Sequence, residues 1–173
     1  MSNPVEQLKK EYEAIGNYLS ERDEVSMRND LDRHFRKVLI LSASSYYEHK
    51  ITDLLSDFVA KKSGDECIVN FLLEGVIKQK YHTLFDWGER DKPQKHKLFT
   101  LFGENKKDIV AEIKANAELS ETISAFIEIG ELRNILVHSN FADYVYEQKT
   151  PDEIFTLFQT AEPFLDYLIE KLK

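Results

Sequence analysis

The chain contains a single cysteine, Cys67, so no disulfide within the chain is available and the fold must be held by its core. A lone thiol also fits a reducing compartment. Proline and glycine are scarce, four and six in 173 residues, which leaves little of the punctuation that short strands and hairpins need. No apolar run approaches the roughly 18 residues of a membrane span. The longest, Val38 to Leu41, is far too short. Strand-like alternation, a glycine-rich phosphate loop and paired-cysteine zinc spacing are all missing, which excludes Rossmann, P-loop and zinc-module readings. The opening Met1-Ser2-Asn3-Pro4-Val5-Glu6 has neither a basic start nor an apolar signal core, so the expected location is the cytoplasm.

Positive charge is also in short supply, 23 Lys and Arg against 31 Asp and Glu, a formal net charge of -8. That balance opposes indiscriminate nucleic-acid binding, because affinity for phosphates comes from cationic side chains and the counterions they release. One stretch runs against it. Between Lys78 and Lys97 six cations, Lys78, Lys80, Arg90, Lys92, Lys95 and Lys97, face three acids, and His82 and His96 add titratable positives. Two readings of it stand, a solvated surface run or a loop that tracks phosphates. Trp87, beside Gly88 in the same stretch, either stacks a base or anchors the loop.

What is present is helical periodicity, in a chain long enough to bury a core as one domain over 1–173. Asn3-Pro4-Val5-Glu6 predicts a capped helix running toward Leu19, followed by a polar connection from Ser20 to Ser26. A long helix is expected from about Met27 to Lys62, ended by Gly64. Ser63-Gly64-Asp65-Glu66 resembles a capping box for a helix reaching about Tyr81, and an exposed loop should span His82 to Gln94. A short helix at Lys95 to Phe102, stopped by Gly103, precedes helices at Lys106 to Ala117 and Ser120 to Val137. Thr150-Pro151-Asp152-Glu153 then opens one terminal amphipathic helix reaching Leu172. The fold class is all-α, a bundle of four to five main helices with short extra helices.

The most informative segment is Glu131-Leu132-Arg133-Asn134-Ile135-Leu136-Val137-His138-Ser139. At about 100° per residue, Asn134 and His138 lie roughly 40° apart and one turn apart, with Arg133 on the flank of the same surface. An imidazole, an amide and a guanidinium on one face suit metal-free chemistry on a phosphate. Ile129, Leu132 and Leu136 face the core, so Arg133 should be half buried and in need of an acidic partner. Glu48 on the long helix is the candidate, with Glu131 the alternative. Arg28-Asn29-Asp30-Leu31-Asp32-Arg33-His34 has similar residue types, but Asn29 and His34 project roughly 140° apart and its interior is acidic. His34, His49, His82 and His96 have no metal-ligand spacing and read as structural or surface residues. Ser42, Ser44 and Ser45 read as small residues that permit close helix packing. Tyr144 and Tyr146, just past the motif, are candidates to line its cleft.

At Arg133-Asn134-Ile135-Leu136-Val137-His138 the chain resembles the HEPN superfamily, whose signature is Arg, four to six residues, then His. Arg36-Lys37-Val38-Leu39-Ile40-Leu41-Ser42-Ala43-Ser44-Ser45-Tyr46-Tyr47-Glu48-His49-Lys50 is similar to the glutamate-bearing long helix of two prokaryotic groups, RiboL-PSP-HEPN and MAE_28990-like. The resemblance implies a metal-independent ribonuclease that needs no cofactor and pairs as a homodimer, so that two motifs line one cleft. In that reading Arg133, Asn134 and His138 are catalytic, Glu48 and Glu131 support them, and Lys78, Lys80, Trp87, Arg90, Lys92, Lys95, Lys97 and Tyr144 contact RNA. The resemblance equally implies a silent interaction subunit in a defence or toxin-antitoxin module, with an antitoxin or nucleotidyltransferase partner. The acidic balance favours that alternative; the complete Arg-Asn-His set favours the enzyme.

Overall fold

The computed structural model describes residues 3–173, so expectations drawn from Met1 and Ser2 lie outside it. Every regular element among the described residues is helical. Helix α1 (Pro4–Ser20) starts where Asn3 accepts a hydrogen bond from the Val5 amide at 3.0 Å. The reciprocal glutamate of a capping box is not used. Asn3 instead donates its side-chain amide to Glu162 at 2.7 Å, which ties the first helix to the C-terminal ones.

Helix α2 (Val25–Ser63) is the spine, 39 residues long and about 58 Å at the usual helical rise. It ends at Gly64, whose left-handed φ of 64° a side chain would resist. Next comes α3 (Glu66–Leu72), capped by Asp65, whose carboxylate accepts from the amides of Cys67 and Ile68. The cap is therefore Asp65 rather than Ser63. The continuous helix expected as far as Tyr81 instead widens into a π-helical segment, Leu73–Ile77, before α4 (Lys78–Lys80) and a 3₁₀ turn at Tyr81–Thr83. Gly75, a poor helix former, lies inside the widened part.

After the loop come 3₁₀ turns at Pro93–Lys95 and Lys97–Asn105, the second broken at Gly103 with φ 57°. Helix α5 (Lys106–Ala115) leads into α6 (Ala117–His138), which starts before Ser120 because the Asn116 side chain caps the Leu119 amide. Helix α7 (Pro151–Ala161) opens on a complete capping box between Thr150 and Glu153. The single terminal helix expected from periodicity is two helices, since Pro163 has no N–H to continue the ladder and starts α8 (Pro163–Lys171). Apolar spacing survives such a break, so periodicity alone does not reveal it.

Helices α1, α6 and α7 pack along α2, with α8 against α6. At the crossing, Tyr47 of α2 is buried against Phe126 of α6 and donates its hydroxyl to the Phe158 carbonyl of α7 at 2.6 Å. Phe126 and Phe164 meet at 5.0 Å between ring centres. Burial of each such side chain contributes roughly 2 to 3 kcal/mol, and together they hold α6 in a fixed orientation. Buried Lys9 reaches Asp152 at 2.7 Å, linking α1 to the start of α7.

Candidate active site

Helix α6 changes character along its length. Its middle is buried on nearly every side, from Ile123 through Gly130, while its first and last turns emerge. Leu136 remains in the core, while Ile135 and Val137 are exposed, so the stretch between Asn134 and His138 is apolar but not sealed from solvent. Arg133 and Asn134 are half-buried and His138, the last residue of the helix, is exposed.

Arg133 and Asn134 line a recess of about 70 Å³ whose other walls are Ser44 and Glu48 of α2, Tyr81, His82, Trp87 and Gly130. Within it the Arg133 guanidinium donates to the Asn134 side-chain oxygen at 3.1 Å. That contact orients the amide and leaves its NH₂ end for another acceptor. The recess lies along the side of α6 at Gly130, Arg133 and Asn134, with the Glu48 carboxylate in its wall, so any phosphate there depends on the charge of Arg133.

The partner expected for Arg133 needs correction. Glu48 shares the recess, yet no ion pair joins the two among the described residues, and Glu131 binds Arg90 at 3.0 Å instead. Both Glu48 and Arg133 are felt by Tyr81. Burial and then the Glu48 charge push its phenol upward in pKa, against the pull of Arg133, so Tyr81 stays protonated as a neutral donor. A guanidinium without a carboxylate on it keeps its charge for a ligand.

Several of the residues assigned to RNA contact are otherwise engaged. Arg90 is neutralised by Glu128 at 3.2 Å as well as by Glu131, Lys92 pairs with Glu89, and Lys78 pairs with Glu74. Trp87 is a loop anchor. Its indole N–H donates to the His82 carbonyl at 2.9 Å, and its ring packs on Gly130 and Phe85. Lys95 and Lys97 are exposed, and Lys80 lines a different cleft. For Arg90 the sequence shows the charge and not its neutralisers, because Glu128 and Glu131 lie more than thirty residues away on α6, whereas Glu89 and Glu74 are local partners of Lys92 and Lys78.

Tyr144 is half-buried with its carbonyl bonded to Lys37, and Tyr146 is buried with an unpartnered hydroxyl, so neither phenol projects into the recess. The residues that build this side are Arg36 and Lys37 of α2. Arg36 donates to the Tyr146 carbonyl at 3.3 Å, and buried Lys37 donates to the carbonyls of Phe141 at 2.7 Å and Tyr144 at 3.2 Å. They fix the segment that follows His138. Neither role shows as a motif, since the acceptors are backbone atoms about a hundred residues away.

The other arginine segment is structural. Arg28 binds Asp32 at 2.9 Å and the Tyr12 hydroxyl at 2.9 Å, crossing Gly16 of α1. Ser42 and Ser45 border α1, whereas Ser44 faces the recess, so the serines do not act as a cluster. His82, read from sequence as a structural or surface residue, is exposed and lines the recess, which His138 does not. Its only advance signal was its place in the cationic run.

Among the described residues no group of three or more His, Cys, Asp or Glu is placed to hold a metal ion, and no helix is long and apolar enough to cross a membrane. No curated protein and no solved structure matches the chain. The family model described as RiboL-PSP-HEPN matches residues 5–173. That span takes in the long glutamate-bearing helix, the Arg-Asn-His turn and the C-terminal pair of helices alike, and the chain belongs to the RiboL-PSP-HEPN family.

Proposed function

We propose that this protein is a metal-independent endoribonuclease acting in a prokaryotic defence or toxin-antitoxin setting, with a site completed by a second copy of the chain. The observation that carries this reading is the unpaired Arg133 guanidinium bonded to Asn134 in a recess one turn from the exposed His138. His138 takes the proton from a ribose 2'-hydroxyl as its oxygen attacks the adjacent phosphorus. The bond from phosphorus to the 5'-oxygen breaks, and that oxygen takes a proton from the imidazole of the second copy. Arg133 stabilises the charge on the five-coordinate transition state and Asn134 donates to a phosphoryl oxygen. The products are a 2',3'-cyclic phosphate and a 5'-hydroxyl.

Exposed apolar side chains at this end, Ile135, Val137, Phe141 and Val145, support pairing through the motif face. The experiment is cleavage of a generic RNA in EDTA. His138→Ala is expected to abolish it while leaving helicity and mass in solution unchanged, because the imidazole is exposed. His82→Ala is expected to retain it. Cleavage that survives removal of His138 would reject the assignment.

A second reading, a silent interaction subunit with an antitoxin or nucleotidyltransferase partner, is favoured by the neutralised cations. Arg90, Lys92 and Lys78 are all paired with acids, which weakens any track for RNA outside the recess. A purified dimer with no EDTA-resistant cleavage supports that reading.

A further inference from the structure

Beyond Leu55 the last two turns of α2 contribute nothing to the buried core. Phe58 and Val59 instead form one wall of a cleft of about 550 Å³, closed by the π-helical segment, the 3₁₀ turn at Lys97–Asn105 and the end of α8. This size lies within the roughly 300 to 1,000 Å³ of small-molecule sites. Leu55 and Leu98 form its floor, and Leu101, 62% exposed, stands at the mouth.

The charge at this cleft is opposite to that of the protein. A chain of net charge -8 lines it with Lys62, Lys80, Lys171 and Lys173 and with no acidic residue. Lys171 is bound to Glu112 at 2.8 Å, whereas Lys80 is exposed with no acidic partner among the described residues. Lys62 lies over the Phe58 ring at 5.8 Å and meets a main-chain oxygen of Lys173, the last residue of the sequence, at 3.5 Å, with no acidic side chain on it among the described residues. An apolar trough with the Lys80 ammonium unpaired at its edge, and Lys62 bearing no acidic side chain, matches a molecule with a hydrocarbon body and one anionic end.

The geometry points to a binding site for a free medium- or long-chain carboxylate, its chain along Phe58, Leu98 and Phe102 and its head group between Lys62 and Lys80. The site lies on the far side of the 77–84 segment from Arg133: Ile77, Lys80 and Leu84 face the cleft, while Tyr81 and His82 face the recess. It does not depend on the nuclease reading.

Calorimetric titration of the full chain with octanoate, decanoate and dodecanoate below their micellar concentrations tests it. We expect saturable one-to-one binding that tightens about fourfold for each added methylene. Lys62→Glu with Lys80→Glu, two exposed changes that should not disturb folding, is expected to weaken dodecanoate binding about tenfold or more. Dodecyltrimethylammonium should not bind at the same concentrations. Absence of saturation, or equal binding of the cationic amphiphile, overturns the proposal. So does a Leu101→Glu variant that converts a dimer to a monomer, which would make a second copy the occupant. Tighter binding of a leucine-rich helical peptide flanked by glutamates would make the cleft a protein-docking groove and equally overturn it.

Discussion

The indole of Trp87 lies on Gly130 so closely that a Cβ at position 130 would meet ring carbons at 2.0 and 2.1 Å. The ring has little room to yield, being held by the His82 carbonyl and by Phe85 and Phe126. Exchanging glycine for alanine inside a helix ordinarily stabilises by up to about 1 kcal/mol. Here overpacking outweighs that gain, and Gly130→Ala is expected to destabilise by about 1 to 3 kcal/mol in urea unfolding. Adding Trp87→Leu should recover part of the loss, so the two changes will not be additive. Simple additivity would show that the contact is not tight.

Glu48→Gln tests whether Arg133 is free. Removing one partner of a buried ion pair costs about 3 to 5 kcal/mol, whereas a carboxylate in the same recess without direct contact costs under about 1 kcal/mol. The smaller value is expected, read as a melting temperature close to that of the wild type. A loss near the larger value would place the two groups in contact.

Lys37 is 3% exposed and spends its ammonium on two backbone carbonyls, so Lys37→Met retains most of the stem but leaves both acceptors unsatisfied. The expected cost is about 2 to 3 kcal/mol. Amide exchange should rise first between residues 139 and 146, and a rise spread evenly over the chain would contradict the anchoring role.

His96 predicts a pH dependence. It is buried, accepts from the Asp86 amide at its Nδ1, and is held at a pKa of about 4 by burial, against a smaller upward pull from Asp86 and Glu89. The unfolded imidazole binds its proton near 6.5, so between 6.5 and about 4 the unfolded chain carries the extra proton. The contribution is complete above pH 6.5 and declines as the pH falls toward 4, where the loss reaches roughly 3 kcal/mol. His96→Gln should flatten that slope relative to the wild type. Parallel curves would place the titration elsewhere.

Local chemistry made much of this protein legible from its residues. The Thr150 capping box and the left-handed end at Gly64 depend on neighbours within a few positions, and each appears where the sequence places it. The one-turn relation of Asn134 to His138 is of the same kind, as is the half-burial of Arg133. Element ends were less legible: Pro163 divides a stripe whose spacing runs on without a gap.

Helical spacing by itself determined an all-α bundle and the order of guanidinium, amide and imidazole along α6, because both follow from a repeat of 3.6 residues. Only the tertiary structure decided which charges remain available. Glu131 binds Arg90, Trp87 is pinned to Gly130, and Arg133 is left with Asn134 in the recess. The first two join groups about forty residues apart in the chain, and it is packing of α6 against the 81–90 loop that brings them within reach and leaves Arg133 with its neighbour.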